Sequence, residues 1–417
     1  MSSPTARPAS IVTTRSQWVV VALLFLSAAI NFIDRGSLSI AAPSLTAEFG
    51  LTPTQMGLLL SAFFWSYAFC QTFAGWLVDR FSVAWVFGIG YLIWSMATLF
   101  SGFAGTVTTL FILRMLLGVG ESVAFPAYSR IIVASFPAEK RGLPNALVEA
   151  GTKLGPAIGS LIGGFLLAGY GWRVLFLALG AGSLLWFIPW VIWAPRTPAT
   201  NSLERETGPG ILDILRKREA WGTFIGAFSY TYAYFFLLTW LPSYLVQERH
   251  LSLTAMGVLG SIPFVVSAVA AVLCGWASDV WIRRGGSPTK VRKTFVVTGL
   301  LLSMATLPSA IVSSLTVSML LLNLAYLAFG MYASNHWAIT QTLAGSQAAG
   351  KWSGIQNTIG ALAGVFAPVI TGWIVETTGS FFWAFLSPAV LAIAGACSYL
   401  FVVGPVAPVS WDRPARS

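Results

Sequence analysis

The stretch Asn31-Phe32-Ile33-Asp34-Arg35-Gly36 sets an acid beside a base inside an otherwise apolar run. Upstream lies Trp18-Val19-Val20-Val21-Ala22-Leu23-Leu24-Phe25-Leu26, and downstream Leu38-Ser39-Ile40-Ala41-Ala42. An apolar run of this length reads as a helix across a bilayer, because a helix satisfies its backbone groups without water. A charge at that depth costs about 3 kcal/mol on insertion scales, and more on an isolated helix. A chain that carries two there is expected to use them.

The composition points the same way. The chain has 417 residues, 56% of them hydrophobic and 9% charged; soluble domains carry about 25% charged residues. An all-α integral membrane protein is expected. Twelve apolar segments can be counted, at 17–43, 55–77, 84–103, 107–136, 143–169, 172–194, 220–246, 253–281, 294–313, 316–342, 351–376 and 379–405. Residues 1–16 read as a polar tail. A bundle over 17–194 and a second over 220–405 are joined by the polar linker 195–219, which carries Arg196, Arg205, Arg216, Lys217 and Arg218, and 406–417 form a second tail. No cleavable signal peptide is expected, since the first segment is too long and many follow it.

The net charge of +10 does not form one patch and so does not suggest nucleic acid. With the N-terminus inside, 18 of the 24 Lys and Arg fall in inner loops or tails, Arg173 and Arg249 in outer loops, and Arg35, Arg114, Arg130 and Lys153 within helices. This asymmetry places both termini in the cytoplasm. Cys70, Cys274 and Cys397 lie in apolar segments without metal-ligand spacing and read as buried thiols.

The halves repeat. Met56-Gly57 … Gly75-Trp76-Leu77-Val78-Asp79 matches Met256-Gly257 … Gly275-Trp276-Ala277-Ser278-Asp279 at an offset of 200, and Gly164 and Gly171 match Gly372 and Gly379 at an offset of 208. Such repeats imply two facing six-helix halves with a site between them near the midplane.

In the fourth segment Arg114 and Glu121 are seven apart and share a helix face, which Tyr128 extends. Counting 1.5 Å per residue, Arg114 lies roughly 10 Å below the outer surface, and Asp34 and Arg35 roughly 25 Å up from the inner one. In a core about 30 Å thick these depths agree. The two arginines are therefore expected to converge on one cavity, with Asp34 and Glu121 beside them. Paired guanidinium groups suit an anion such as a carboxylate. Acids that are both desolvated and close to arginines can gain and lose protons. The structural alternative is two locking ion pairs, Asp34–Arg114 and Glu121–Arg35.

Helix five adds Glu149 and Lys153 at i, i+4, which serve equally as a self-satisfied pair or as a substrate contact. Gly151, Gly155, Gly159 and Gly163 form a small-residue stripe, expected to pack between moving helices. The second half offers neutral groups instead: Asn323, Asn335, His336, Gln341, Gln356 and Asn357. His336 reads as a neutral hydrogen-bonded residue. Of the aromatic run, Tyr232 and Tyr234 are expected not to share a narrow face with Tyr230, and Arg130 to snorkel.

Several motifs resemble a known group. Gly75-Trp76-Leu77-Val78-Asp79-Arg80, its echo near Asp279 and the twelve segments are similar to the major facilitator superfamily. Within it, four stretches resemble the anion:cation symporter family: Asn31-Phe32-Ile33-Asp34-Arg35; Leu113-Arg114 … Gly120-Glu121 … Phe125-Pro126-Ala127; Thr239-Trp240-Leu241-Pro242-Ser243-Tyr244-Leu245; and Ala367-Pro368-Val369-Ile370-Thr371-Gly372. That family includes bacterial galactonate, glucarate and hexuronate uptake systems, a phthalate importer and vesicular glutamate carriers. The resemblance implies protonation at Asp34 and Glu121, and substrate contacts at Arg35, Tyr67, Arg114, Thr152, Lys153, Gln356 and Asn357. It also implies an inner gate at Asp79, Arg80 and Asp279. Thr152 stands where sugar-acid members have glutamine, which argues against a galactonate-like polyol. The usual Gly-Arg-Arg continuation of the gate motif is replaced by Phe81-Ser82-Val83-Ala84-Trp85.

The expected function is proton-coupled uptake of a small organic anion, a sugar acid or other carboxylate, through a bacterial inner membrane. The protein is expected to work as a monomer in the lipid bilayer, with no cofactor beyond the proton gradient. Rival readings are an organic-anion sensor, an exchanger or carrier of an aromatic acid or dicarboxylate, and a multidrug exporter, which paired arginines disfavour. No catalytic or metal constellation is seen, so an enzyme is not expected.

Overall fold

The computed structural model describes residues 14–136, 141–195 and 209–411. Ten helices among these residues are long and apolar enough to cross a membrane, and eleven with Pro53–Arg80, which bends by 49° between Gln71 and Phe73. One of the ten, Leu143–Trp193, has 51 residues, about 77 Å of helix against a core of about 30 Å. It turns at Gly171, whose φ of 80° and ψ of 173° are outside the helical region and are open to glycine. It therefore counts as two spans, which makes twelve.

We number these spans α1 (Thr14–Phe49), α2 (Pro53–Arg80), α3 (Val83–Ser101), α4 (Val107–Ser135), α5 (142–170), α6 (172–193), α7 (Arg218–Gln247), α8 (Leu253–Arg283), α9 (Pro288–Ile311), α10 (Leu315–Gly345), α11 (Gln347–Thr378) and α12 (Phe381–Val402). An even number of crossings returns the chain to its starting side. We call this the terminal side and the opposite face the far side.

The repeat is physical. Thr52 caps α2 by accepting from the Gln55 amide, and Ser252, 200 residues on, caps α8 by accepting from the Ala255 amide. Four of the matched glycines, Gly57, Gly164, Gly257 and Gly372, are where the halves meet. A Cβ on Gly164 of α5 would lie 2.5 Å from Cα of Gly257 on α8. In the second seam a Cβ on Gly57 of α2 would collide with the Pro368 carbonyl of α11, and one on Gly372 with the Pro53 carbonyl. The Thr54 amide at the start of α2 donates to Glu376 Oε2 of α11 at 2.9 Å, an acid at a helix N-terminus. Both seams lie in the far-side halves of their helices, so the far side is closed.

Several expectations change. The first segment does not stop at Pro43: α1 continues to Phe49, because one proline removes a single backbone bond that a membrane bundle tolerates. The glycine stripe of α5 does admit a neighbouring helix closely, and that helix is α1 of its own half: Gly151 lies against Phe25 and Ala28, Gly155 against Ala29 and Phe32, Gly159 against Ile33 and Gly163 against Ile40. The contact with α8 of the other half is made on the adjoining face by Gly164 and by Ser160, whose Oγ donates to the Gly257 carbonyl at 3.2 Å. Cys70 and Cys274 are half-buried, and Cys397 is exposed.

Of the linker, 196–208 lie outside the described residues, with Arg196 and Arg205; a short helix at Ile211–Leu215 follows. Residues 403–411 fold back under the second half. The Val409 amide donates to Leu343 O at 2.9 Å and Trp411 Nε1 to Ala344 O at 3.2 Å. They thereby satisfy carbonyls that the break at Gly345 leaves free at the end of α10.

Candidate functional site

Consecutive helical residues point about 100° apart, so Asp34 and Arg35 cannot face the same way. Arg35 turns toward the space between the halves. Its guanidinium lies 4.7, 4.8 and 4.6 Å from the ring centres of Phe32, Phe63 and Tyr67, an aromatic cage that suits a cation. Its Nε donates to Glu121 Oε2 at 2.7 Å, with the Glu121 side chain fully buried. Glu121 stands just before an irregular turn of α4 at Ser122 and Val123.

Asp34 turns the other way, toward α3 and α6. Its carboxylate is fully buried, and Oδ2 accepts from Ser183 Oγ of α6 at 3.5 Å. Arg114 is buried between α1 and α6. It donates to the backbone carbonyl of Asp34 at 3.0 Å and to Ser37 Oγ at 2.8 Å, and lies 5.2 Å from the Phe176 ring. Of the two ion pairs the sequence allows, Glu121–Arg35 forms. Arg114 holds the backbone of Asp34 and not its carboxylate.

Between the halves is a cleft of about 1720 Å³, its mouth included. Arg35, Tyr67, Thr152, Lys153, Gln356 and Asn357 line it, as do Gln71, Glu149, Tyr230, Tyr234, His336 and Trp337. Its lining runs from the middle of the bundle toward the terminal side, where Ser129, Glu149, Gly350 and Gly354 are exposed. Arg114, Asp34 and Glu121 are not in its wall. The expected convergence of two arginines on one cavity is therefore corrected: Arg35 reaches it, and Arg114 is held behind α1 by the rotation of that helix.

Three buried donors in this wall lack a hydrogen-bond partner: Arg35 Nη2, Tyr234 OH and Gln356 Nε2. Gln356 is held by Thr340 Oγ1, which donates to its Oε1 at 2.8 Å. Gln71 Nε2 donates to Tyr67 OH at 3.3 Å. Lys153 Nζ lies 3.3 Å from Glu149 Oε1 and 5.6 Å from the Tyr234 ring across the cleft. An orphaned buried donor is costly, so this wall is prepared for an oxygen-rich guest.

Tyr230 and Tyr234 share the cleft face, contrary to the expectation for Tyr234, because residues four apart are neighbours on a helix. Tyr232 turns away to Ser387 of α12, 3.2 Å from its Oγ. His336 stacks on Tyr332 with centroids 4.8 Å apart, its Nδ1 3.2 Å from Ala333 O. Arg130 does more than snorkel: it pairs with Asp79 at 2.9 Å. Asp279 faces Arg292 at 3.7 Å, and Arg80 is exposed at the end of α2. The ion pairs of Asp79 and Asp279 each stay within one half. Gln71 and Tyr234 line the cleft without carrying a charge or a family motif that marks them in the sequence. The four-residue spacings Tyr67–Gln71 and Tyr230–Tyr234 are the signal that finds them.

The family model for the Major Facilitator Superfamily matches residues 24–368. The probable galactarate/D-glucarate transporter GudP of Bacillus subtilis (strain 168) is 32% identical, over 94% of this chain and 93% of its own. The D-galactonate transporter of Escherichia coli O6:H1 is 29% identical, over 94% and 96%. Among solved structures, a bacterial homologue of the human lysosomal transporter Spinster superposes with a TM-score of 0.81 at 19% identity, covering 94% of this chain and 97% of that one.

Proposed function

The chain belongs to the major facilitator superfamily, and on that premise we propose that it takes up a small organic anion by proton-coupled symport. Relatives named for sugar acids support the anion class. The observation that carries the reading is the set of buried, unpartnered donors around Arg35 in the cleft. Arg35 presents Nη2 to a substrate carboxylate while Glu121 holds its Nε.

Coupling rests on that shared guanidinium. A proton on Glu121 removes the competing charge, so Arg35 takes the substrate carboxylate; loss of the proton restores the ion pair and expels the anion. Asp34, buried on the other face of α1, is the second proton site. Arg114 contributes by fixing the α1 turn that carries Asp34 and Arg35. Tyr67, Thr152, Gln356 and Asn357 complete the substrate wall. Asp79, Arg80 and Asp279 gate the terminal side, which the distribution of basic residues assigns to the cytoplasm. The closed far-side seams and a cleft lined toward the terminal side correspond to one end state of alternating access.

Uptake by proteoliposomes tests this. An acid-outside gradient is expected to drive accumulation of sugar acids or related carboxylates, a protonophore to abolish it, and Arg35→Gln to abolish binding. Accumulation that survives the protonophore refutes proton coupling. Binding without transport favours the sensor reading.

A further inference from the structure

Lys153 is the second cation in the cleft wall, and its setting differs from that of Arg35. Its partner Glu149 is on the same helix one turn earlier, 3.3 Å away, with a side chain 58% exposed at the mouth of the cleft. Such an intrahelical pair is weak. Glu121, by contrast, is fully buried behind Arg35 and outside the wall. The lysine side chain is itself only 16% exposed and reaches over the Tyr234 ring of the opposite half, 5.6 Å from its centre.

The Tyr234 hydroxyl is buried, lacks a hydrogen-bond partner and lies in the electrostatic reach of both Lys153 and Arg35. The cleft therefore presents a guanidinium with a spare N–H, an ammonium whose partners are the mouth-exposed Glu149 and the Tyr230 hydroxyl, and the buried Tyr234 phenol seeking an acceptor. A monoanion would occupy Arg35 and leave the Lys153 end unchanged. A guest with an anionic group at each end answers all three.

We infer that the transported anion is a small dicarboxylate, one carboxylate on Arg35 and the other on Lys153, with Tyr234 donating to an oxygen between them. Lys153 is then the residue that selects diacids over monoacids, and Glu149 keeps it charged and in place while the cleft is empty. This rests on the organic-anion reading above and narrows it.

The test measures binding to the purified full-length protein by thermal shift and calorimetry. Aliphatic, polyhydroxy and aromatic diacids are each paired with the monoacid of the same skeleton, D-glucarate with D-gluconate among them. At least one diacid is expected to bind tenfold or more tightly than its monoacid. Lys153→Gln is expected to reduce that ratio to near one, and Lys153→Arg to retain it. Glu149→Gln is expected to keep the ratio, because the ammonium remains.

Equal affinity for both members of every pair in the wild-type protein overturns the inference and leaves organic-anion transport standing. So does a ratio that survives Lys153→Gln. No binding of any acid by a folded wild-type protein overturns the organic-anion reading itself. The monoacid affinity of Lys153→Gln reports whether that variant is folded, so loss of both acids together with a lost thermal transition is read from Lys153→Arg instead. Loss of the ratio in Lys153→Arg overturns the inference.

Discussion

Arg114 bonds the backbone carbonyl of Asp34, at 3.0 Å, and leaves the Asp34 carboxylate to Ser183. An arginine used this way fixes the shape of α1 beside the site without touching the cleft. Arg114→Lys keeps the charge but loses the planar fork that spans the Asp34 carbonyl and Ser37. Each charge-assisted bond lost costs about 1.5–3 kcal/mol, so the melting temperature is expected to fall. The dissociation constant for substrate should change less than in Arg35→Lys. Unchanged stability with binding weakened as much as in Arg35→Lys would mean that Arg114 reaches the substrate.

Glu121→Gln keeps the size of the side chain and one acceptor for Arg35 Nε but removes the charge and the proton site. One pH unit supplies about 1.4 kcal/mol per proton, a tenfold accumulation. Gradient-driven accumulation in the variant is expected to fall to the equilibration level, while counterflow exchange of labelled substrate continues. Gradient-driven uptake equal to wild type, normalised to folded protein, would remove Glu121 from the coupling. Glu121→Ala adds a second effect, an unpaired buried guanidinium, worth about 3–5 kcal/mol of stability.

Gly164→Ala tests the far-side seam. Its Cβ would sit 2.5 Å from Gly257 Cα in this conformation. Overpacking of this kind costs about 1–3 kcal/mol and falls only on the state in which α5 and α8 touch. The population is expected to move toward a far-side-open state. Spin labels on the far-side ends of α5 and α8 should report a longer distance. An unchanged distribution would show that the seam yields by local adjustment.

Asp79→Asn separates gating from stability. The Asp79–Arg130 pair has a carboxylate side chain 71% exposed, and exposed pairs contribute about 0.2–1 kcal/mol. The melting temperature is therefore expected to move by about 2 °C or less. If Asp79 gates the terminal side, initial uptake should fall about tenfold, which is ~1.4 kcal/mol on the rate-limiting barrier. A rate loss no larger than the stability change would leave the pair a surface contact.

Much of this protein is readable from local properties of the chain. Spans across a membrane follow from apolar runs of about twenty residues, and two facing halves follow from Met56-Gly57 and Met256-Gly257 at a constant offset. The cost of burying charge singled out Asp34, Arg35, Arg114 and Glu121, because lipid makes each of them conspicuous wherever the helix points. Depth along a helix is also local, since it is a count of residues at a fixed rise.

Rotation about the helix axis is not local. It is set by which neighbours each face packs against, and it decided what spacing left open. It turned Arg35 into the cleft and Asp34 to Ser183, hid Arg114 behind α1, and placed Tyr234 rather than Tyr232 over Lys153. It also sent the glycine stripe of α5 onto α1 and turned Ser160 and Gly164 to meet Gly257. The residue types for an anion site are written in the chain. Which of two adjacent side chains meets the anion is decided by the packing of twelve helices, because neighbours on a helix point about 100° apart and only one of them can face the guest.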